Sequence, residues 1–209
     1  MDQMNKETQN QNPARNSKRN EDFFIGNPLI SAHGDHIYFY APVSPESALE
    51  LNQKLHQASM QNLAGVFNSM YEVNSPPPIW LHINSYGGEL FSAFAIADTI
   101  ERIKTTVPVV TIVEGCAASA ATVISTAGTR RLMRKNAYML IHELSDSSWG
   151  RFTELQDNYK SNEDIMKTMK EWYLDRTKIK PDKLDEILKH DIWWNSALCR
   201  KNGLVDDII

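Results

Sequence analysis

The run VPVVTIVEGCAASAATVISTAG, Val107–Gly128, carries a single charge, Glu114, in a chain whose residues are 23% charged. Two structures could hold so apolar a stretch. A membrane span over Thr105–Thr129, which likewise carries only Glu114, is the weaker, because Pro108, Glu114 and Gly115 interrupt it and alanine, serine and threonine dilute it. A buried strand, a turn and a buried helix account for it better. Val107–Val113 has no polar alternation beyond Thr111, as expected of a strand covered on both faces. Glu114-Gly115 then reads as a turn, and the alanine-rich run as a helix with Ser119 at its opening. Bulk has been cleared from around one hydroxyl, either for close helix packing or for access by another molecule.

Upstream, "IWLHI" (Ile79–Ile83) is a second strand running into the turn "NSYGG". The helix after it places Phe91, Phe94, Ala95, Ile96 and Ile100 mostly on one face. Earlier still, "HIYFY" (His36–Tyr40) reads as a strand, and Ser44-Pro45-Glu46 as a helix start with a capping serine and proline in the first turn. That helix keeps its spacing through Leu51, Leu55, Ala58, Leu63, Phe67 and Met70 to about Val73, where "NSPPP" ends it. Downstream, Tyr138–Ile141 is a strand closing on His142. Strand–helix–strand–helix–strand predicts an α/β fold built on a parallel sheet with right-handed crossovers.

From Arg151 to Thr177 the pattern changes to one long helix. Its apolar stripe of Phe152, Leu155, Tyr159, Met166, Met169 and Tyr173 is interrupted by a single polar residue, Asn162. A surface helix packed on the sheet and a helix docked against a neighbouring subunit both fit that stripe. A shorter helix from Pro181, the segment "KHDIWWN" and a last helix capped by Gly203 complete the chain.

Composition narrows the function. A formal charge of −4 argues against a nucleic-acid binder. The two cysteines, Cys116 and Cys199, have neither disulfide-framework nor zinc-site spacing, which points to a reducing, cytoplasmic setting. The first 22 residues lack an apolar secretory segment, and eight of the first 20 are Asn or Gln, so residues 1–22 read as a disordered polar tail. No metal or cofactor is expected: "HGDH" (residues 33–36) has no second ligand cluster, and "NSYGGEL" is not a dinucleotide fingerprint.

Of the six histidines, His142 differs in ending a buried strand, where α/β folds place reactive groups. His33, His36, His56 and His82 are weaker candidates, and His190 sits beside an acid at a helix end. Taken singly, Ser119 could be a helix cap and His142 a half-buried core residue. The Gly87-Gly88 turn could be an ordinary strand–helix connection, although its glycines also let backbone amides approach a ligand.

Together, four motifs in order resemble the Clp protease proteolytic subunit, ClpP, a serine peptidase family. "INSYGGELFSAFAIADTI" stands where that family has INSPGG and a helix, and "EGCAASAATVISTAG" where it has a GxAAS segment running to TAG. "NAYMLIHE" is similar to its N-S-x-x-M-I-H-Q, and "DIWWNSALCRKNGLVDDII" to its closing motif. The likeness spans Ile79 to Ile209 and is weaker over His36–Val73. It implies a repeated β-β-α superhelix with a protruding handle helix at about residues 148–178, in one peptidase domain over residues 23–209.

Carried over by position, the resemblance makes Ser119 the nucleophile, His142 the general base and Asp191 the acid that orients it, with the Gly88 and Ala120 amides as oxyanion hole. The His142–Asp191 interval matches the family's without a gap, which favours Asp191 over Asp157, Asp164, Asp175, Asp182 and Asp185. It further implies an endopeptidase acting on unfolded polypeptide inside stacked seven-fold homo-oligomeric rings, in the cytoplasm of a cell or of a virus's host. An AAA+ ATPase unfoldase would feed the rings, and it must be a separate chain because no Walker A sequence occurs here. Neither nucleic acid nor membrane is an expected partner. A non-catalytic ring subunit and a crotonase-like acyl-CoA enzyme are the alternatives. Four departures stand out: Tyr86 for the family's proline, "ELSDSSWG" for its substrate-binding strand after the histidine, a shorter link between catalytic helix and histidine strand, and Ile192 for the arginine after Asp191.

Overall fold

The computed structural model describes residues 29–67 and 75–209. The disordered tail expected at 1–22 and the continuation of the first helix expected to about Val73 lie outside the described residues.

An antiparallel pair, β1 (Ile30–His33) and β2 (His36–Phe39), leads into α1 (Pro45–Phe67). Ser44 caps α1 as its sequence implies: Ser44 Oγ accepts the Ser47 N–H at 3.2 Å, and Ser47 Oγ accepts the Ser44 N–H at 2.9 Å. Then come β3 (Ile79–Ser85), α2 (Leu90–Ile103), β4 (Val109–Ala118) and α3 (Ala120–Thr126). β5 (Arg130–Met133), β6 (Tyr138–Leu140), α4 (Phe152–Arg176), α5 (Pro181–Leu188), β7 (Trp194–Asn195), α6 (Ser196–Lys201) and β8 (Asp207–Ile208) follow. The main sheet runs β1-β2-β3-β4-β5-β8 and is parallel from β2 to β8. The α/β architecture expected from the sequence is present.

Covering helices bury one face of this sheet. Ile37, Phe39, Leu51, Leu55, Ile79, Leu81, Ile83, Ile96 and Ile100 are fully buried there. On α2 the inward face is Ala93, Ile96, Ala97, Ile100 and Ile103. Phe91 and Ala95, expected on that face, are instead exposed, because helical spacing carries them past the contact with the sheet.

The other face carries only a small apolar cluster of Val110, Ile112 and Leu132 with Trp80. Beside it His82 is buried between Glu114 (3.0 Å) and His36 (2.9 Å), and its ring stacks on Tyr38. Glu114 also takes hydrogen bonds from Tyr40 and, at 3.1 Å, from Arg134.

Glu114-Gly115 is not a turn. β4 continues through it for ten residues, and Asn84 Oδ1 on β3 accepts the Cys116 N–H at 3.1 Å across the step. The two halves of β4 have different neighbours. Val110–Val113 pair with β5, whereas Cys116–Ala118 diverge to pair with β6. This divergence carries the chain off the sheet toward Ser119.

α4 is anchored at one end only. Met169 and Tyr173 are buried, while Phe152 and Tyr159 are 73% and 67% exposed. The long helix therefore projects, as a handle would, rather than lying flat on the sheet.

Candidate active site

Strand register gathers the candidate residues. β6 lies between the end of β4, which it pairs in parallel at Ala118↔Leu140, and β7, which it pairs antiparallel at Met139↔Trp194. Continuing the first register brings Ser119 beside the residue preceding His142; continuing the second sets Asp191 opposite His142. Hydrogen bonding agrees, since the Ser119 N–H donates to the Leu140 carbonyl at 2.8 Å. His142 Nδ1 stands 3.4 Å from Asp191 Oδ1, with the His142 side chain 24% and the Asp191 side chain 80% exposed.

Ser119 caps α3 with φ 52 and ψ −128, the only positive φ of a non-glycine residue among those described. Such a conformation is sparsely populated by L residues and turns the side chain out of the strand direction. Its backbone is packed against the glycine turn. A Cβ on Gly87, whose φ is 91, would stand 2.5 Å from the Ala118 carbonyl oxygen and 3.0 Å from the Ala120 nitrogen. Only glycine fits there.

Gly88, with φ 146, is bridged in parallel to Val43. The flanking groups make that bridge: Val43 N–H donates to Gly87 O and Glu89 N–H to Val43 O, each at 2.9 Å. The Gly88 N–H consequently points the other way. Ala120 opens α3, where amides have no partner within the helix.

A cavity of about 380 Å³ unites these groups, with Gly88, Ser119, Ala120 and His142 in its wall. Its apolar lining includes Val123, Ile165 and Met169; its acids are Glu89, Glu143 and Asp146. Among the described residues no direct hydrogen bond joins Ser119 Oγ to His142, and in unliganded sites such bonds are often long. A second opening, of about 370 Å³, lies on the Asp191 side of His142. So Ser119, His142, Gly88 and Ala120 share one cavity, and Asp191 reaches it through His142.

Residues 143–149 form an irregular segment beside α4 rather than a strand. It is tied down where the Glu143 N–H donates to Leu188 O at 2.8 Å, and where Asn162 Nδ2 donates to Asp146 Oδ2 at 2.9 Å. The polar interruption in the α4 stripe thus meets the segment that follows His142.

Two further groups escaped the sequence reading. Thr122 Oγ1 donates to the Ser119 carbonyl at 2.6 Å and also lies 2.6 Å from the Tyr173 hydroxyl. Burial pushes the Tyr173 phenol up to about 12, against a smaller opposing effect of its bond with Thr122. Thr122 sits in an alanine run and Tyr173 in an apolar stripe, so neither carries a pattern that separates it from core. Among the described residues, no group of three potential ligands could hold a metal ion, and no helix is long and apolar enough to cross a membrane.

A family model described as Clp protease matches residues 33–209. A curated relative, the ATP-dependent Clp protease proteolytic subunit 2 of Treponema denticola, is 30% identical over 161 residues, spanning 76% of this chain and 78% of its own length. Among solved structures, a ClpP1 mutant from Listeria monocytogenes superposes with a TM-score of 0.67 at 21% identity, covering 80% of this chain and 86% of the other. That last likeness is one of fold.

Proposed function

Because the chain belongs to the Clp protease family, we propose that it is a serine endopeptidase subunit that hydrolyses unfolded polypeptide. The observation that carries this reading is the one cavity lined by Gly88, Ser119, Ala120 and His142, with Asp191 behind the histidine.

A serine hydroxyl is a weak nucleophile at neutral pH and needs a base to take its proton. His142 supplies it through Nε2, because Nδ1 faces Asp191. The carboxylate keeps the proton on Nδ1 and stabilises the imidazolium formed when Ser119 Oγ attacks the scissile carbonyl. The Gly88 and Ala120 N–H groups receive the developing oxyanion, each worth on the order of 3 kcal/mol. His142 then returns its proton to the leaving amine, and water, activated by the same imidazole, releases the acyl group.

The exposed apolar stripe on α4 supports assembly. Subunits would form homo-oligomeric rings, seven-fold and stacked through the handle helices, in the cytoplasm. A separate AAA+ ATPase would unfold the substrate. A second reading, a non-catalytic ring subunit, draws on one observation: Asp191 is mostly exposed and stands 3.4 Å from His142, a pairing worth little in water.

A fluorophosphonate probe distinguishes the two readings. The folded, assembled protein should be labelled on Ser119, and Ser119→Ala should remove the label. An unlabelled wild-type protein whose ring has been verified by native mass would favour the non-catalytic subunit.

A further inference from the structure

We propose that Thr122 and Tyr173 are positioning residues for the nucleophile, forming a hydrogen-bonded strut that fixes the Ser119 backbone from the buried end of α4. The proposal rests on the peptidase reading and adds the device that holds its serine in place.

The strained Ser119 backbone needs holding on both sides of its Cα. Its N–H is taken by Leu140 at 2.8 Å. Its carbonyl receives two donors from one residue: the Thr122 N–H at 2.9 Å and Thr122 Oγ1 at 2.6 Å.

The direction of the strut follows from donor inventory. A carbonyl only accepts, so the single Thr122 hydroxyl proton goes to Ser119. The 2.6 Å contact between Thr122 Oγ1 and the Tyr173 hydroxyl then has one polarity, with the phenol donating. The chain runs from Tyr173 O–H to Thr122 O–H to the Ser119 carbonyl. A hydroxyl that accepts one bond donates a stronger one, so the Tyr173 link tightens the hold on Ser119. The phenol is fully buried and, like any phenol near neutral pH, protonated and able to donate.

A neighbouring contact separates this role from simple helix packing. Trp172 Nε1 donates to Thr126 Oγ1 at 2.9 Å, one turn beyond Thr122 on α3. Trp172 is itself held by the Arg176 guanidinium 3.4 Å over its ring, and Arg176 pairs with Glu101 at 2.9 Å. Two adjacent α4 residues thus grip two threonines on α3. Both contacts dock the helix, but only the Tyr173–Thr122 contact continues to Ser119.

The test uses the full-length protein and reads the rate of fluorophosphonate acylation, kcat and KM for a short peptide substrate, and the melting temperature. Thr122→Val keeps the shape and removes the donor. It should slow acylation and lower kcat about tenfold with KM changed less than about twofold, and Thr122→Ser should restore both. Tyr173→Phe should slow acylation about threefold. Trp172→Phe should lower the melting temperature yet leave acylation within about twofold of wild type. Acylation unchanged in Thr122→Val, or slowed as much by Trp172→Phe as by Thr122→Val, overturns the strut. Should Thr122→Val not fold, Tyr173→Phe against Trp172→Phe decides on the same criterion. A folded, assembled wild-type protein that never reacts overturns the peptidase reading, and the strut falls with it.

Discussion

A Cβ placed on Gly87 would stand 2.8 Å from the Cβ of Ser119. The glycine turn and the serine are therefore not merely neighbours. The backbone that offers the Gly88 amide is wedged against the backbone that presents the hydroxyl, and each limits where the other can go. Gly87→Ala should destabilise the protein by about 1–3 kcal/mol through its φ of 91 alone, with the Ala118 contact adding to that. Urea unfolding measures the loss, and fluorophosphonate labelling of the fraction that remains folded should be absent or greatly slowed.

The His142–Asp191 pair leads to a different expectation. Asp191 has a largely exposed side chain, so removing its charge should hardly affect folding. Asp191→Asn should melt within a few degrees of wild type and assemble normally, while kcat falls on the order of 10²–10⁴-fold. Unchanged peptide cleavage would mean that another group orients His142.

Glu114 predicts a pH dependence of stability. Partial burial pushes its carboxyl up, but hydrogen bonds from Tyr40, His82 and Arg134 together outweigh that and hold it below the usual carboxylate range. A depressed pKa in the folded state stabilises the protein above the unfolded value, and that stability is lost as pH falls through the folded value. Glu114→Gln should accordingly cost about 1–3 kcal/mol near neutral pH, and the difference from wild type should shrink in unfolding curves taken progressively below pH 4.5.

On α4, Tyr159 is 67% exposed and Leu155 38% exposed among the described residues. The double substitution Leu155→Glu with Tyr159→Glu should leave circular dichroism unchanged and reduce the native mass below that of the proposed stacked rings. A native mass that does not respond would remove the handle from the assembly interface.

Much of this was legible in the chain because local signals agreed with the fold. The Ser44-Pro45-Glu46 start, the apolar strand β3, the Val109–Val113 half of β4 and the long period of α4 all appear where their residues put them. Less legible were elements too short to carry a period: β7 and β8 have two residues each, and β5, "RRLM", opens on two arginines. Glu114-Gly115 looked like a turn because both residues punctuate strands. What keeps β4 extended is tertiary, namely Asn84 bridging the step and three donors converging on the carboxylate. The candidate site divides in the same way. Ser119, His142 and Asp191 could be aligned by motif, whereas their meeting depends on β6 lying between β4 and β7, a pairing no local pattern encodes. Thr122 and Tyr173 meet only once α4 has docked on α3.

Ser119 has one more consequence, which concerns what selection must maintain. Its backbone sits where glycine rests without strain and serine does not, a difference of about 1–3 kcal/mol. A chain selected for folding alone would drift to glycine at position 119 and become more robust. Alanine in its place would lose the hydroxyl and keep the strain. The hydroxyl at 119 and the strain at 119 therefore come together, and glycine would relieve the strain only by giving up the hydroxyl.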